Sequence, residues 1–317
     1  MTALNSVLNS VLERSRKKLI MASIKSNALM AWAFASQRVE VEDGGYNITN
    51  PLTVGRNPNV ASYSYYDDMA VAQTDEFTTV EYRWSRVGGT VIISNQEEDE
   101  NTGQAAIFKL MKAKMEVLEE SIKEKFSSYL YGAGAGKDPY GLEALIPDDP
   151  TVGTLGGISR VTETQWRTSS YDFGTGGITS TNIEEAFDDV LMDLTLKGEK
   201  PDLILAGRDI YRTYRAAVRD KLVIGLSELK SGKGMVDLGF GGIAHDKIPI
   251  VYDEDCAINK VYFINSKYMR LHMLKGVNMK TKELSAPWTT DAHGKRVIWQ
   301  GQFCMWRAYR THAVVIS

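Results

Sequence analysis

The stretch Gly103–Gly132, GQAAIFKLMKAKMEVLEESIKEKFSSYLYG, decides how the rest of the chain is read. Ile107, Met111, Met115, Leu118, Ile122, Phe126 and Tyr129 recur at steps of four and three, which aligns them along one apolar stripe of an α-helix. The charged residues Lys109, Lys112, Glu116, Glu119 and Lys123 fall mostly on other faces, and Glu119–Lys123 is a favourable i,i+4 pair. No proline or internal glycine interrupts the run, and Gly132 supplies a stop in the left-handed position past a helix end. A helix of this span is about 40 Å long, more than a compact domain needs, so it reads as a girder. Its stripe is the first candidate core: Ile107, Met111, Met115, Leu118, Ile122 and Phe126.

Around the girder the composition is that of an ordinary globular chain. Of 317 residues, 43% are hydrophobic and 24% charged, enough for one large or two modest domains. No apolar run reaches the length of a membrane span. The opening MTALNSVLNSVLERSRKKL places basic residues after apolar ones, the wrong order for a secretory signal. A net charge of −3 gives no general attraction to nucleic acid. Cys256 and Cys304 match no metal or redox spacing and read as buried free thiols.

Upstream, Leu4, Val7, Leu8, Val11 and Leu12 repeat at helical spacing before the basic run Arg14, Arg16, Lys17 and Lys18. Such a run is either a solvated face or a contact with an acidic neighbour. With the apolar stretch Ala28–Ala35, residues 1–45 read as an arm with only local helix. From Tyr46 to Ser94 the pattern is extended. Tyr63 and Tyr65 alternate with serines, and Val80, Tyr82 and Trp84 alternate with Glu81, Arg83 and Ser85. Between the runs lies the polar tip Asp67–Phe77, and Gly88-Gly89 predicts a bulge before Thr90–Ile93. The expectation is a long two-stranded arm. An isolated hairpin is marginal in water, so it needs a surface to lie on, that of another subunit. Ser94–Glu97 fits a capping box ahead of the girder.

Downstream, a glycine- and proline-rich segment separates the girder from an α/β unit that begins near Gly177. Thr181-x-x-Glu184 reads as a second capping box, opening a helix with Ile183, Phe187, Val190, Leu191 and Leu194 on one face. A strand at Leu203–Ala206, a helix over Arg208–Arg219, a flexible loop at Gly225–Asp246 and strands at Ile248–Tyr252, Val261–Ile264 and Tyr268–Leu274 follow. The tail Arg296–Ile316 reads as one or two strands with Val297, Trp299, Phe303, Trp306 and Val314 as core positions. Tail and girder flank the α/β unit, which therefore reads as an insertion between two parts of a second domain.

Catalytic chemistry finds no foothold. Gly136-Lys137 and Gly232-Lys233 lack the upstream glycine and following Ser or Thr of a phosphate loop, and there is no G-x-S-x-G elbow. His245, His272, His293 and His312 have no i,i+4 partner, and Asp253-Glu254-Asp255 reads as a solvated turn. No catalytic residue, metal or cofactor is expected. An α/β enzyme on residues 178–275 would require a convergent cluster of titratable groups in a cleft.

Five phrases, in order, resemble one family. They are ASYSYYD (Ala61–Asp67), the girder's GQAAIFKLMKAKMEVLEESI, YGLEALIPDDPTVGTLGGISR (Tyr140–Arg160) followed by Trp166-Arg167, KPDLILAGRDIYRTYRAA (Lys200–Ala217) and VYFINSKYMRLH (Val261–His272). The family is the major capsid proteins of tailed bacteriophages, whose fold is shared with encapsulins and herpesvirus capsid floor domains. The resemblance implies an α+β capsid fold with an N-terminal arm (1–45), an extended β-hairpin loop (46–92), a peripheral domain with a long spine helix (93–177 and 276–317) and an axial α/β domain (178–275). It implies inter-subunit contacts from Tyr63, Tyr65, Asp67, Asp68, Asp75, Glu76, Tyr82, Arg83 and Trp84 in the loop and from the arm's Arg14, Arg16, Lys17 and Lys18. It implies hexamers and pentamers of the chain, assembled in the host bacterial cytoplasm into the icosahedral head shell of a virion around double-stranded DNA. Partners would be a portal, decoration proteins and non-specifically touched DNA, with no membrane. The chain starts almost at the arm, so scaffolding is expected from a separate protein, unless the numbering begins after cleavage. Some relatives join subunits by a lysine–asparagine bond from the extended loop. Here no lysine occurs between Lys25 and Lys109, so non-covalent cohesion is expected. An encapsulin-like shell enclosing a cargo enzyme is the alternative.

Overall fold

A computed structural model describes residues 27–53, 57, 59–69, 71–72, 77–94, 96, 104–174, 177–218, 243–284 and 292–316, without the side chains of 104–112, 283–284 and 293. Outside the described residues lie the Leu4–Leu12 stripe, Arg14, Arg16, Lys17, Lys18, Asp75, Glu76, the Glu97 half of the first capping box and most of the Gly225–Asp246 loop. The same holds for the side chains of Ile107 and Met111.

Helix α1 (Ala28–Ala35) is apolar on every side and is buried accordingly, with Leu29, Met30 and Ala33 in the core. Asn27 caps it, its Oδ1 accepting the backbone N–H of Leu29 and Met30 at 3.0 and 3.3 Å. Strand β1 (Val39–Glu42) then pairs in parallel with the distant strand Met269–Leu274, Val39 opposite Leu271. The latter part of the segment read as an arm is thus built into the fold. Strands β2 (Asn47–Thr53) and β3 (Phe77–Arg83) form an antiparallel ribbon, Asn47 opposite Arg83 and Thr53 opposite Phe77. The hairpin strand expected around Tyr63 and Tyr65 lies earlier, across Pro51, which a two-stranded ribbon tolerates at its edge. Residues 61–64 are not strand.

Strand β4 (Ser85–Ser94) runs straight through Gly88-Gly89, so the expected bulge does not form. The glycines serve close approach instead. A Cβ on Gly89 would lie 2.4 Å from Leu118 Cδ1, and one on Gly88 2.7 Å from the Val297 carbonyl oxygen. Gly89 lets the girder, helix α2 (Gln104–Tyr131, 28 residues), press onto the sheet, and Gly88 clears the backbone of the paired strand. Met115, Ile122 and Phe126 of its stripe are buried and Leu118 is half-buried; Phe126 stands edge-on to Trp299 with centroids 4.5 Å apart. Helix α3 (Leu142–Leu145) and the short strands β5 (Thr154–Leu155) and β6 (Ile158–Ser159) follow, with buried Trp166 donating to the Leu155 carbonyl at 3.0 Å.

Strand β7 (Ser169–Asp172) leads to helix α4 (Ile183–Leu194), strand β8 (Leu203–Ala206) and helix α5 (Arg208–Val218). The second capping box does not form. Asn182 stands at the cap, and its Oδ1 accepts the Thr179 N–H at 2.7 Å rather than a helix N–H. Strands β9 (Ile243–His245), β10 (Ile248–Tyr252), β11 (Lys260–Ile264), β12 (Met269–Leu274), β13 (Lys280–Leu284), β14 (Ala292–Met305) and β15 (Ala313–Ile316) complete the chain.

Two large sheets result. One is five-stranded, in the order β1-β12-β14-β13 with β4 also on β14; α2 lies across it. The other is six-stranded, in the order β7-β15-β11-β8-β10-β9. It carries the second core, where Phe187, Tyr214 and Phe263 meet Ile183, Ile204, Ala313 and Val315. The chain crosses between these sheets between β4 and β7, after β11 and again after β14. As a result β12, read as the last α/β strand, joins the girder's sheet, whereas β15, read with the girder, completes the α/β sheet. Both cysteines are buried and free, as their spacing suggested. Among the described residues no helix is long and apolar enough to cross a membrane.

Candidate functional site

The ribbon β2–β3 carries the candidate assembly surface at its far end. Tyr65 is 99% and Tyr66 101% exposed, and Val60, Tyr63, Met69, Val71 and Phe77 are exposed beside them. The tip is held by its own polar contacts. Asn59 donates to the Ala72 carbonyl at 2.7 Å and accepts the Ala72 N–H at 3.3 Å, and Asp67 accepts the Ser64 N–H at 2.8 Å. Asp67 and Asp68 are exposed among the aromatics. An apolar cluster so far out of contact with its own chain is the mark of an interaction surface. Tyr66 joins Tyr63 and Tyr65 here; the period-two reading passed over it because the tip is not a strand.

The ribbon's base departs from expectation. Tyr82 is buried, donating its O–H to the Met305 carbonyl at 2.8 Å and standing edge-on to Tyr140 and Trp306 at 6.2 and 5.7 Å. Burial raises its pKa well above the usual phenol value. Arg83 donates to the carbonyls of Gly134 at 3.2 Å, Asp138 at 2.8 Å and Gly136, and lies over the Tyr140 ring at 5.1 Å. Trp84 donates to the Gly45 carbonyl at 3.1 Å. These three side chains bind the ribbon to its own subunit. Alternation along β3 marks a half-buried strand, and Val80 and Tyr82 are its buried face.

Polar networks hold the crossings. Glu199 meets Lys267, the Tyr268 hydroxyl and, at 3.2 Å, Arg307, whose guanidinium lies over the Tyr268 ring at 5.0 Å. Asp253, read as part of a solvated turn, is buried. It accepts the Tyr131 hydroxyl at 2.7 Å, the Ala28 N–H at 3.2 Å and the Asp255 N–H at 3.1 Å, tying α1 to the end of α2. Burial raises its pKa above the usual carboxylate value. In the second core His245 contacts the Tyr214 hydroxyl at 2.9 Å and Asp188 at 3.0 Å. Burial raises the Tyr214 pKa, the reverse of what an activated nucleophile needs.

A girder on a sheet, a projecting ribbon with an apolar tip and an α/β unit joined by three crossings make up the fold. It is the fold of tailed-phage capsid proteins, shared with encapsulins. The chain superposes on the capsid asymmetric unit of cyanophage A-1(L) with a TM-score of 0.63 and 17% identity, covering 92% of this chain and 93% of that one. For the capsid of a native GTA particle the TM-score is 0.56 at 10% identity, covering 90% and 89%. For the holo-encapsulin complex of Synechococcus elongatus it is 0.50 at 13% identity, covering 76% and 77%. At these identities the likeness is one of fold. No protein-family profile and no curated protein sequence matches the chain.

Proposed function

We propose that the chain is the major capsid protein of a tailed bacteriophage, forming hexamers and pentamers of an icosahedral head shell around double-stranded DNA. The observation that carries this reading is the fully exposed Tyr65–Tyr66 tip on a chain that shares a phage capsid fold over 92% of its length. The tip, with Tyr63, Asp67, Asp68, Asp75 and Glu76, lies on a neighbouring subunit, while Tyr82, Arg83 and Trp84 anchor the ribbon from behind. The basic run Arg14, Arg16, Lys17 and Lys18 meets an acidic neighbour in the shell. The regions 1–45, 46–92, 93–177 with 276–317, and 178–275 act as arm, extended loop, peripheral and axial parts, with three strands (β7, β12 and β15) exchanged between the last two. The protein is structural rather than catalytic. A portal, a scaffolding protein, decoration proteins and packaged DNA are its other contacts, and the virion is its final location. Cohesion rests on buried aromatic area, because exposed ion pairs contribute on the order of 1 kcal/mol or less each.

The test expresses the chain and its Tyr65→Ser/Tyr66→Ser variant and compares particle yield by negative-stain microscopy with thermal unfolding. The expected outcome is particles from the parent only, at unchanged subunit Tm, because both rings are outside the core. Normal particles from the variant would overturn the assignment of the tip. Double-stranded DNA in particles purified from infected cells supports the phage reading; a peptide-tethered enzyme inside would support the encapsulin alternative, whose fold match is weaker.

A further inference from the structure

We propose that Glu40, Glu42 and His272 form a divalent transition-metal site, with His272 Nε2 and Glu40 Oε2 as protein ligands and Glu42 orienting the imidazole. The site follows from pairing. Glu40 and Glu42 are two apart on β1 and share a face of the sheet, and the parallel register sets Glu40 opposite His272 on β12. Ligand atoms of all three residues lie within 4.8 Å of one another.

His272 is 2% exposed, and its Nε2 has no hydrogen-bond partner among the described residues. Its Nδ1 is 3.2 Å from Glu42 Oε1. In the tautomer that donates Nδ1–H to Glu42, Nε2 carries a lone pair. That lone pair faces Glu40 Oε2 at 3.5 Å. An imidazole nitrogen and a carboxylate oxygen at that separation can share one cation. Zinc–ligand bonds of about 2.0–2.1 Å at a tetrahedral angle separate nitrogen and oxygen by about 3.4 Å.

The surroundings fit the same reading. Glu42 on Nδ1 supplies the outer carboxylate that orients a metal-bound histidine. Trp306 stands edge-on to the ring at 5.1 Å and limits its rotation. Arg270 pairs with Glu40 Oε1, leaving Oε2 for the ion. Gln302, opposite His272 in register, also keeps a buried side-chain oxygen without a partner among the described residues. A groove of about 700 Å³, lined by Glu40, Glu42, Trp84, Arg270, His272 and Trp306 among others, gives the ion entry and room for bound water. An imidazole with a carboxylate suits zinc and its neighbours better than magnesium or calcium. Bound there, the ion would staple the edge strand β1 to β12, whatever shell the chain builds.

The test uses untagged full-length protein, stripped with a chelator that is then dialysed away and titrated with Zn²⁺ by calorimetry. One ion per chain is expected, and Tm should rise by about 5 °C at a hundredfold excess over Kd. Glu40→Gln, at a half-exposed position, and His272→Gln should each weaken binding at least tenfold; Glu42→Gln should weaken it by about tenfold through the ring's orientation. Should His272→Gln fail to fold, Glu40→Gln decides alone. Absence of saturable binding, or parental affinity in Glu40→Gln, would overturn the proposal. So would ¹⁵N spectra showing the His272 ring doubly protonated at pH 7, since a proton would then fill the gap.

Discussion

His312 shows how much a single residue's environment can alter its chemistry here. Its ring is buried, Nδ1 accepts the Asn265 N–H at 3.2 Å, and Nε2 has no partner among the described residues. Burial alone drives its pKa down to about 3, against about 6.5 in an unfolded chain. Between those values the unfolded chain binds a proton that the folded chain refuses. The ring's contribution is therefore complete above about pH 6.5 and is lost as pH falls toward 3, with a slope approaching about 1.4 kcal/mol per unit. Urea unfolding at pH 7.5, 6 and 5 should show this loss, and His312→Gln should flatten it. An equal slope in the variant would place the titration elsewhere.

At the scale of elements, the girder depends on what it presses against. Ile122 is buried opposite Gly89, so Ile122→Asp buries an unpaired charge and should cost about 4 kcal/mol. Val117, on the same helix but 65% exposed, is the control: Val117→Asp should change stability by about 0.5 kcal/mol or less. The helix end is as tightly constrained. A Cβ on Gly141 would lie 2.4 Å from the Tyr129 carbonyl oxygen and 2.5 Å from that of Gly132. Backbone cannot yield as a side-chain tip does, so Gly141→Ala should cost about 3 kcal/mol, read as a lowered Tm. Retained Tm would mean that the turn after α2 is looser than its packing implies.

For the whole molecule, the question is what holds copies together. Between Tyr46 and Ile93 the charged residues include no lysine, and the guanidinium of Arg56, Arg83 or Arg86 is too basic to attack a carboxamide. Arg83 is moreover engaged with three backbone carbonyls of its own subunit. Particles boiled in detergent should run as one band near 35.3 kDa. A ladder of multimers would mean that an amine elsewhere reaches the loop. Three crossings, the last two held by Glu199–Arg307 and by Asn265 with His312, join the sheets into one subunit and leave the ribbon tip exposed.

What was legible in the sequence is local. The period of Met115, Leu118, Ile122 and Phe126 determined α2, and the apolar faces of α4 and α5 and the run Leu203–Ala206 determined the α/β core, because a repeat at 3.6 or 2 residues expresses itself whatever surrounds it. The phrases of the extended loop and girder carried the fold's likeness. Tertiary structure decided everything that depended on pairing. Alternation along Tyr82 and Trp84 has the same period whether the buried face meets a neighbour or Met305, and only packing chose Met305. Gly88-Gly89 reads alike as a bulge or as clearance for Leu118. Glu42 and His272, 230 residues apart, meet because β1 and β12 share a register, and no local pattern encodes that register. Side-chain periodicity is a property of a few turns or strands of backbone, whereas the partner of each face is set by burial across the whole chain.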